Sequence, residues 1–118
     1  MAEGFLTTHV LDTARGLPAK GVAITLYRIE GKERHEICRV VTNDDGRTDS
    51  HILPKEDFRT GTYELVFEAG AYLRATGQAG AEPLFLDKVP IRFGMSEDTH
   101  YHVPLLISPF AFSTYRGS

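Results

Sequence analysis

The stretch Tyr63-Glu64-Leu65-Val66-Phe67-Glu68 decides the fold, because aromatic and aliphatic side chains recur at every second position. Successive side chains of an extended strand point to opposite faces of a sheet, so Tyr63, Leu65 and Phe67 share one face. The stretch Val22-Ala23-Ile24-Thr25-Leu26-Tyr27 has the same period of two. Both stretches therefore predict half-buried β-strands.

Similar strand patterns, separated by turn signals, continue along the chain. Apolar residues alternate over 89–93 and 101–107, and β-prone residues fill 5–11 and 36–42. This gives about seven to eight short strands, a number and spacing typical of a sandwich. Residues 70–78 depart from the pattern and predict one short helix that ends at a glycine. We therefore expect an all-β antiparallel sandwich in a single domain over residues 1–118.

The composition excludes several classes of protein. The chain has 118 residues and a formal net charge of -3, so it offers one small core and no basic surface for nucleic acid or an anionic membrane. Small molecules and proteins remain as partners. The first residues lack an apolar leader, and the single Cys38 cannot form an intrachain disulfide. These features favour a cytoplasmic location.

Several histidines are candidates for chemistry. His9 interrupts a β-prone segment, and by itself this pattern fits a hydrogen-bonded core or interface histidine. His100 and His102 flank Tyr101, so their side chains point to one face of a strand. Two imidazoles so placed can bind zinc, although no local third ligand completes a set. His51 lies in a polar segment and is expected to be structural or at the surface.

Arg47 and the C-terminal run are the remaining candidates. Arg47 follows Asp44-Asp45-Gly46, a tight-turn sequence, so its guanidinium begins at one end of the sheet. A surface arginine paired with one of these aspartates is the simpler interpretation of the turn alone. Residues 110–118 stay aromatic and β-prone, whereas chain ends usually fray. Either the last strand is buried in an oligomer interface, or the terminus itself has a function.

Two segments match known motifs. The first is Leu6-Thr7-Thr8-His9-Val10-Leu11-Asp12, and the second runs from Tyr101-His102-Val103-Pro104-Leu105 to the closing Tyr115-Arg116-Gly117-Ser118. With these segments the chain resembles the transthyretin-like family and, within it, the 5-hydroxyisourate hydrolases of purine breakdown. The closing tetrapeptide is the specific part, because transthyretin, the hormone carrier, lacks that ending and the paired histidines. The resemblance therefore favours an enzyme over a carrier.

The resemblance implies a set of catalytic and substrate-binding positions. They are His9, Arg47 and His102 for catalysis, and Tyr115, Arg116, Gly117 and Ser118 for substrate binding. In this interpretation the two histidines position and activate water, and the arginine binds the polar edge of the ring or stabilises the developing anion. The chain departs from the family at Phe110-Ala111-Phe112, where Tyr-Gly-Tyr is common. That change affects packing or the pocket wall, not the catalytic set.

The resemblance also implies an activity and an assembly. The activity is hydrolysis of a cyclic amide bond of 5-hydroxyisourate, which opens the six-membered ring to 2-oxo-4-hydroxy-4-carboxy-5-ureidoimidazoline in the degradation of urate to allantoin. No cofactor and no metal are required. The assembly is a homotetramer with its sites at subunit interfaces.

Two alternatives remain open at the level of sequence. The first is a non-enzymatic carrier that binds a small aromatic ligand in the central channel of a transthyretin-like tetramer. The second is a zinc hydrolase that uses His9, His100 and His102. Saturable binding without turnover would favour the carrier, and loss of activity with a chelator would favour the zinc enzyme.

Overall fold

A computed structural model describes residues 3–117 of the chain and shows a β-sandwich with a short helix. The elements follow in chain order: β1 Phe5–Thr7, β2 Val10–Asp12, β3 Leu17–Pro18, β4 Ala23–Glu30, β5 Glu33–Val41, β6 Gly61–Glu68, α1 Ala69–Ala75, β7 Lys88–Met95, β8 His100–His102, β9 Leu105–Ser108 and β10 Ala111–Thr114. The predicted all-β class and the helix near residue 70 are both confirmed. No helix within residues 3–117 is long and apolar enough to cross a membrane.

The larger sheet has the order β5-β4-β6-β7, with antiparallel neighbours throughout. Its inward face carries the alternating residues that the sequence singled out, and Ile24, Leu65 and Phe67 are completely buried. Burial of this apolar face against the second sheet is the main stabilising contribution to the sandwich. The outward-facing Glu64 is also buried, because Arg34 and Arg92 each bind one of its carboxylate oxygens at 3.1 Å.

The second layer contains a sheet with the order β10-β9-β2-β3 and the two-stranded pair β1-β8. The pairs β1-β8 and β2-β9 run parallel and keep one register, from Phe5 opposite His100 to Asp12 opposite Ile107. In this register His9 lies opposite Pro104, and the amides of Val103 and Leu105 donate to the carbonyl oxygens of Thr7 and His9 at 3.0 Å and 2.9 Å. The carbonyl oxygen of Val103, however, accepts a hydrogen bond from the Thr8 hydroxyl at 2.7 Å, and each long strand divides into two at this point.

The division of these two segments explains why the expected number of strands is too low. Within residues 3–117 there are ten strands, compared with the seven to eight expected. The segments 5–11 and 101–107 each contain two strands, and β3 is only two residues long. The fold class is unchanged.

The helix α1 is tied to the second layer by a buried carboxylate. Asp12 accepts hydrogen bonds from the Tyr72 hydroxyl at 2.6 Å, from the Gln78 amide at 2.8 Å and from the Arg15 backbone at 2.9 Å. Burial raises the pKa of Asp12, but these hydrogen bonds outweigh it and hold the pKa below its ordinary value. The network fixes the segment after β2 against the helix.

Candidate active site

The parallel pair β1-β8 brings a threonine between two histidines. Thr7 lies opposite His102 in the register, and its Oγ1 is 2.7 Å from Nε2 of His100 and 2.8 Å from Nδ1 of His102. Both histidines are on one face of β8, as their spacing predicts, while Tyr101 between them is buried in the core. The hydroxyl therefore connects the two rings.

An aromatic stack fixes one of these rings. The Phe5 ring lies between His51 and His100, with centroids 4.3 Å and 4.0 Å away and planes inclined by 16° and 7°. Stacking of this kind restricts rotation of the imidazoles about their side-chain bonds. The expectation that His51 is structural agrees with its contact to Phe5, although its side chain also lines the pocket described below.

A tight turn places Arg47 next to this histidine pair. Asn43 closes the turn by accepting hydrogen bonds from Asp45 and Arg47 amides at its side-chain oxygen, at 2.9 Å and 3.2 Å. Gly46 has a φ of 75°, and a Cβ there would collide with the carbonyl oxygen of Val10. Only glycine therefore lets the turn approach β2 this closely.

His9 is held by the same turn. Its Nε2 lies 2.8 Å from the carbonyl oxygen of Asp45. Because a carbonyl only accepts hydrogen bonds, Nε2 carries the hydrogen, and neutral His9 has its lone pair on Nδ1. His9 does not line the pocket that Arg47 and His102 share.

The pocket is an open cleft of about 480 Å³. This volume is within the range of small-molecule sites. Its lining is mainly polar and combines strand residues with the segment that follows the Arg47 turn. The lining residues are Thr7, Thr8, Arg47, Thr48, Asp49, Ser50, His51, His100 and His102.

Electrostatics keep the two strand histidines neutral. Burial lowers the pKa of His102, and the charge of Arg47 and the neighbouring His100 and His9 lower it further. Burial also lowers the pKa of His100, with a smaller effect from His51. An imidazole with a lowered pKa is unprotonated at neutral pH and can accept a proton from water.

The C-terminal segment returns to this site. The backbone amide of Gly117 donates a hydrogen bond of 2.7 Å to the carbonyl oxygen of His102. Arg116 lies over the Tyr101 ring with its guanidinium carbon 4.3 Å from the centroid, and Tyr115 is exposed. Ser118, the last predicted substrate-binding residue, lies outside the described residues.

The structure thus brings some of the predicted site residues together and leaves others outside the pocket. Arg47 and His102 share the pocket, Gly117 contacts the His102 strand, and His9 is linked to the Arg47 turn through Asp45. Tyr115 and Arg116 do not line the pocket within this chain.

Sequence reasoning missed Thr7 and Phe5, which organise His100. The signal was present in their alternation with Leu6, which places them on the face opposite the core. Only the pairing of β1 with β8, however, shows that this face meets the histidines. Sequence patterns seldom reveal a parallel pairing between segments so far apart.

The zinc alternative gains no support from the donor geometry. Among residues 3–117, no group of three histidine, cysteine, aspartate or glutamate side chains is arranged to hold a metal ion. One nitrogen of each paired histidine is directed at Thr7, and His9 binds a carbonyl through Nε2.

Comparisons with known proteins agree with the fold. A 5-hydroxyisourate hydrolase from Mesorhizobium japonicum is 62% identical over 115 residues, which covers 98% of this chain and 93% of the relative. A solved 5-hydroxyisourate hydrolase from Klebsiella pneumoniae has a TM-score of 0.81 and 36% identity, covering 98% of this chain and 99% of that one.

A solved (S)-allantoin synthase has a TM-score of 0.91 and 46% identity over 99% of this chain, which spans only 44% of that longer protein. The model of the HIUase/Transthyretin family matches residues 6–117. With its sandwich, its paired histidines and this match over nearly its whole length, the chain belongs to the HIUase/Transthyretin family.

Proposed function

We propose that this protein is a 5-hydroxyisourate hydrolase. It opens the six-membered ring at a cyclic amide bond and forms 2-oxo-4-hydroxy-4-carboxy-5-ureidoimidazoline in the degradation of urate to allantoin. The observation that carries the proposal is that His102 and Arg47 line one open pocket of about 480 Å³. The 62% identity to a 5-hydroxyisourate hydrolase over nearly the whole chain supports the same substrate.

His102 is the general base in this proposal. As the water oxygen bonds to the amide carbonyl carbon, His102 takes the water proton on its free ring nitrogen. The carbon–nitrogen bond then breaks, and the leaving nitrogen receives a proton from the imidazolium. Arg47 stabilises the negative charge that develops on the carbonyl oxygen, a role in which a fixed cation is effective. These steps consume one water molecule for each amide bond that is cleaved.

His9 has a different role in the same proposal. Its Nε2 is bound by Asp45, so only Nδ1 is free to accept a hydrogen bond. From the rim of the site this nitrogen orients the substrate or the attacking water.

The active form in this proposal is a homotetramer with sites between subunits. Every residue of the edge strand β10 is exposed, and Phe110, Phe112 and Tyr115 expose 73%, 45% and 59% of their surfaces. A strand at the edge of a sheet and exposed aromatic side chains are features that a second copy of the chain would cover. The adjacent C-terminal segment and His9 would then complete a site together with the partner subunit.

We further propose a cytoplasmic location. The single Cys38 has a free, half-buried thiol that donates a hydrogen bond to the Ile52 carbonyl oxygen at 3.4 Å. Unpaired thiols persist in reducing compartments, which supports this location.

The test is an assay of turnover. 5-Hydroxyisourate is generated from urate with urate oxidase, and its ultraviolet absorbance is followed with the protein, without it and with heat-denatured protein. The proposal predicts faster decay with the native protein only. Decay at the spontaneous rate would overturn it, and saturable binding at that rate would support the carrier alternative. Full activity after dialysis against a chelator would remove the zinc alternative.

A further inference from the structure

We propose that Thr7 is a positioning residue that holds neutral His102 with its hydrogen on Nδ1, so that Nε2 presents a lone pair to the pocket. The geometry of the pair β1-β8 supports this tautomer directly. Its catalytic consequence rests on the proposed hydrolase function, in which His102 is the base.

The first step is the hydrogen count at the Thr7 hydroxyl. The oxygen has one hydrogen to donate, yet two ring nitrogens lie within hydrogen-bond distance, His100 Nε2 at 2.7 Å and His102 Nδ1 at 2.8 Å. At most one of them can accept this hydrogen, so the other nitrogen must donate to the oxygen for both contacts to be hydrogen bonds. The hydroxyl therefore couples the tautomers of the two histidines.

The second step decides which group donates and which accepts in these two hydrogen bonds. Within residues 3–117, Nε2 of His102 makes no hydrogen bond to the protein, so it is the nitrogen left for the pocket. Arg47 lines the same pocket. A lone pair facing a pocket with a fixed cation is favoured over an N–H dipole facing it. His102 then donates from Nδ1 to Thr7, and Thr7 donates to Nε2 of His100.

The third step concerns the end of the chain of hydrogen bonds. His100 must keep its Nε2 directed at Thr7, and its stack on Phe5 at 4.0 Å fixes the ring plane. The stack continues to His51 at 4.3 Å, which supports Phe5 from its other side. Nε2 of His100, which accepts the hydrogen bond from Thr7, is thus held in place by packing.

This arrangement prepares His102 for proton transfer. When Nε2 takes a proton, Nδ1 already donates to Thr7, and no hydrogen bond has to reverse. Nucleophile and base sites commonly need such a third group to orient the base. In the opposite tautomer Nε2 would carry a hydrogen and could not accept one.

The experiment compares three variants with the wild type. Thr7→Val removes the hydroxyl with little change in shape, and Thr7→Ser retains it. Thr13→Val is the matched control, because the Thr13 hydroxyl donates to the Ile107 carbonyl oxygen at 3.1 Å and does not line the pocket. The first readout is the tautomer of neutral His102, from nitrogen-15 shifts of the imidazole in NMR spectra, and it requires no substrate.

The wild type, Thr7→Ser and Thr13→Val should show His102 protonated on Nδ1, whereas Thr7→Val should show a weaker preference, because Nδ1–H loses its acceptor while the Arg47 charge remains. The second readout is the kinetics of 5-hydroxyisourate decay. Thr7→Val should lower kcat by about 10²-fold, the lower end of what a general base contributes, with KM little changed and with recovery in Thr7→Ser.

Two results would overturn the proposal. One is a wild-type His102 protonated on Nε2, which needs no variant to fold. The other is a Thr7→Val protein with the wild-type tautomer or with wild-type kcat in an active enzyme. If the wild type itself fails to accelerate the decay, the hydrolase proposal fails, while the NMR result still decides the role of Thr7.

Discussion

The backbone amide of Gly117 lies 2.7 Å from the carbonyl oxygen of His102 and bonds the C-terminal segment to β8. A Cβ at residue 117 would lie 2.6 Å from Cδ2 of the His102 ring, closer than real Cβ contacts. The absence of a side chain at Gly117 is therefore what allows the terminus to pack on the imidazole. This relationship gives a structural reason for the glycine in the closing motif.

Gly117→Ala should impair catalysis by displacing the His102 ring. Displacements of about 1 Å can lower rates by about 10²-fold, so we expect a loss of kcat approaching this size. The measurement is steady-state decay of 5-hydroxyisourate, with thermal unfolding to check the fold. Gly80→Ala is the matched control, because a Cβ there meets no atom within 4 Å. An active Gly117→Ala enzyme would show that the contact is not required.

His102→Asn should remove the base but keep a polar group near Thr7. We expect kcat to fall by at least about 10²-fold, because general base catalysis contributes that much or more. Initial rates at neutral pH measure the effect. His35→Asn, on the exposed part of β5, is the control and should retain activity. A near-normal rate in His102→Asn would reject its role as the base.

Arg47→Gln should shift the pH dependence of the reaction. The Arg47 charge lowers the pKa of His102, so its removal raises that pKa, and the loss of activity on acidification then begins at a higher pH. His100 and His9 also face His102, and burial, the larger cause, remains. The profile of kcat/KM against pH measures the shift.

In the same variant, kcat/KM at neutral pH should fall by about 10²-fold or more, as for loss of a donor to a developing anion. Arg47→Lys keeps the charge and should leave the acid limb in place. If the acid limb of the Arg47→Gln profile stays at the wild-type pH, the result would contradict the effect of the Arg47 charge on His102.

Asp12→Asn should destabilise the fold without touching the pocket. An amide cannot accept the hydrogen bonds from Tyr72, Gln78 and Arg15 together, and each buried group left unsatisfied costs about 1–3 kcal/mol. The free energy of unfolding is measured with urea. Asp44→Asn, which breaks only an exposed pair with Lys20, should leave the midpoint nearly unchanged.

The Asp12 effect also has a defined pH dependence. Because the folded pKa of Asp12 is lowered, its contribution is complete above the unfolded value of about 3.9 and is lost as the pH falls through the folded value. The difference in stability between wild type and Asp12→Asn should therefore be largest at neutral pH and shrink below about pH 4. A constant difference would contradict the lowered pKa.

Phe112→Glu should weaken the proposed tetramer. It puts a charge on the exposed edge strand β10, which the interface would bury, and isolated buried charges are costly. Sedimentation analysis should show a mass of four chains for the wild type and smaller species for the variant. Val41→Glu, at an exposed position on β5 in the other sheet, is the control. A monomeric wild type would reject the assembly.

The sequence predicted those elements whose signal is local. The strands β4, β6 and β7 have a clear period of two, because each packs one face on the core. The division of residues 5–11 and 101–107 was not predicted, since it depends on contacts across the parallel pairing, such as the hydrogen bond from the Thr8 hydroxyl to the Val103 carbonyl oxygen. That pairing joins positions 95 apart, as the register from Phe5 to His100 shows.

The candidate site divides in the same way. The resemblance to the transthyretin-like family pointed to His9, Arg47 and His102, and the family is confirmed by the match over residues 6–117. The order of these residues in the chain does not reveal which of them share a pocket. His102 and Arg47 share it, while His9 is bound to the Asp45 carbonyl oxygen.

By itself, the sequence determined the sandwich class and the short helix, because periodicity and composition are properties of neighbouring residues. The residues proposed for hydrolysis came from the resemblance of its motifs to a known family. Tertiary structure alone decided that Thr7 lies between His100 and His102, and that Gly117 lies against the imidazole. The physical reason is that hydrogen bonds between distant segments form only after both sheets bury their apolar faces and fix the register of β1 against β8.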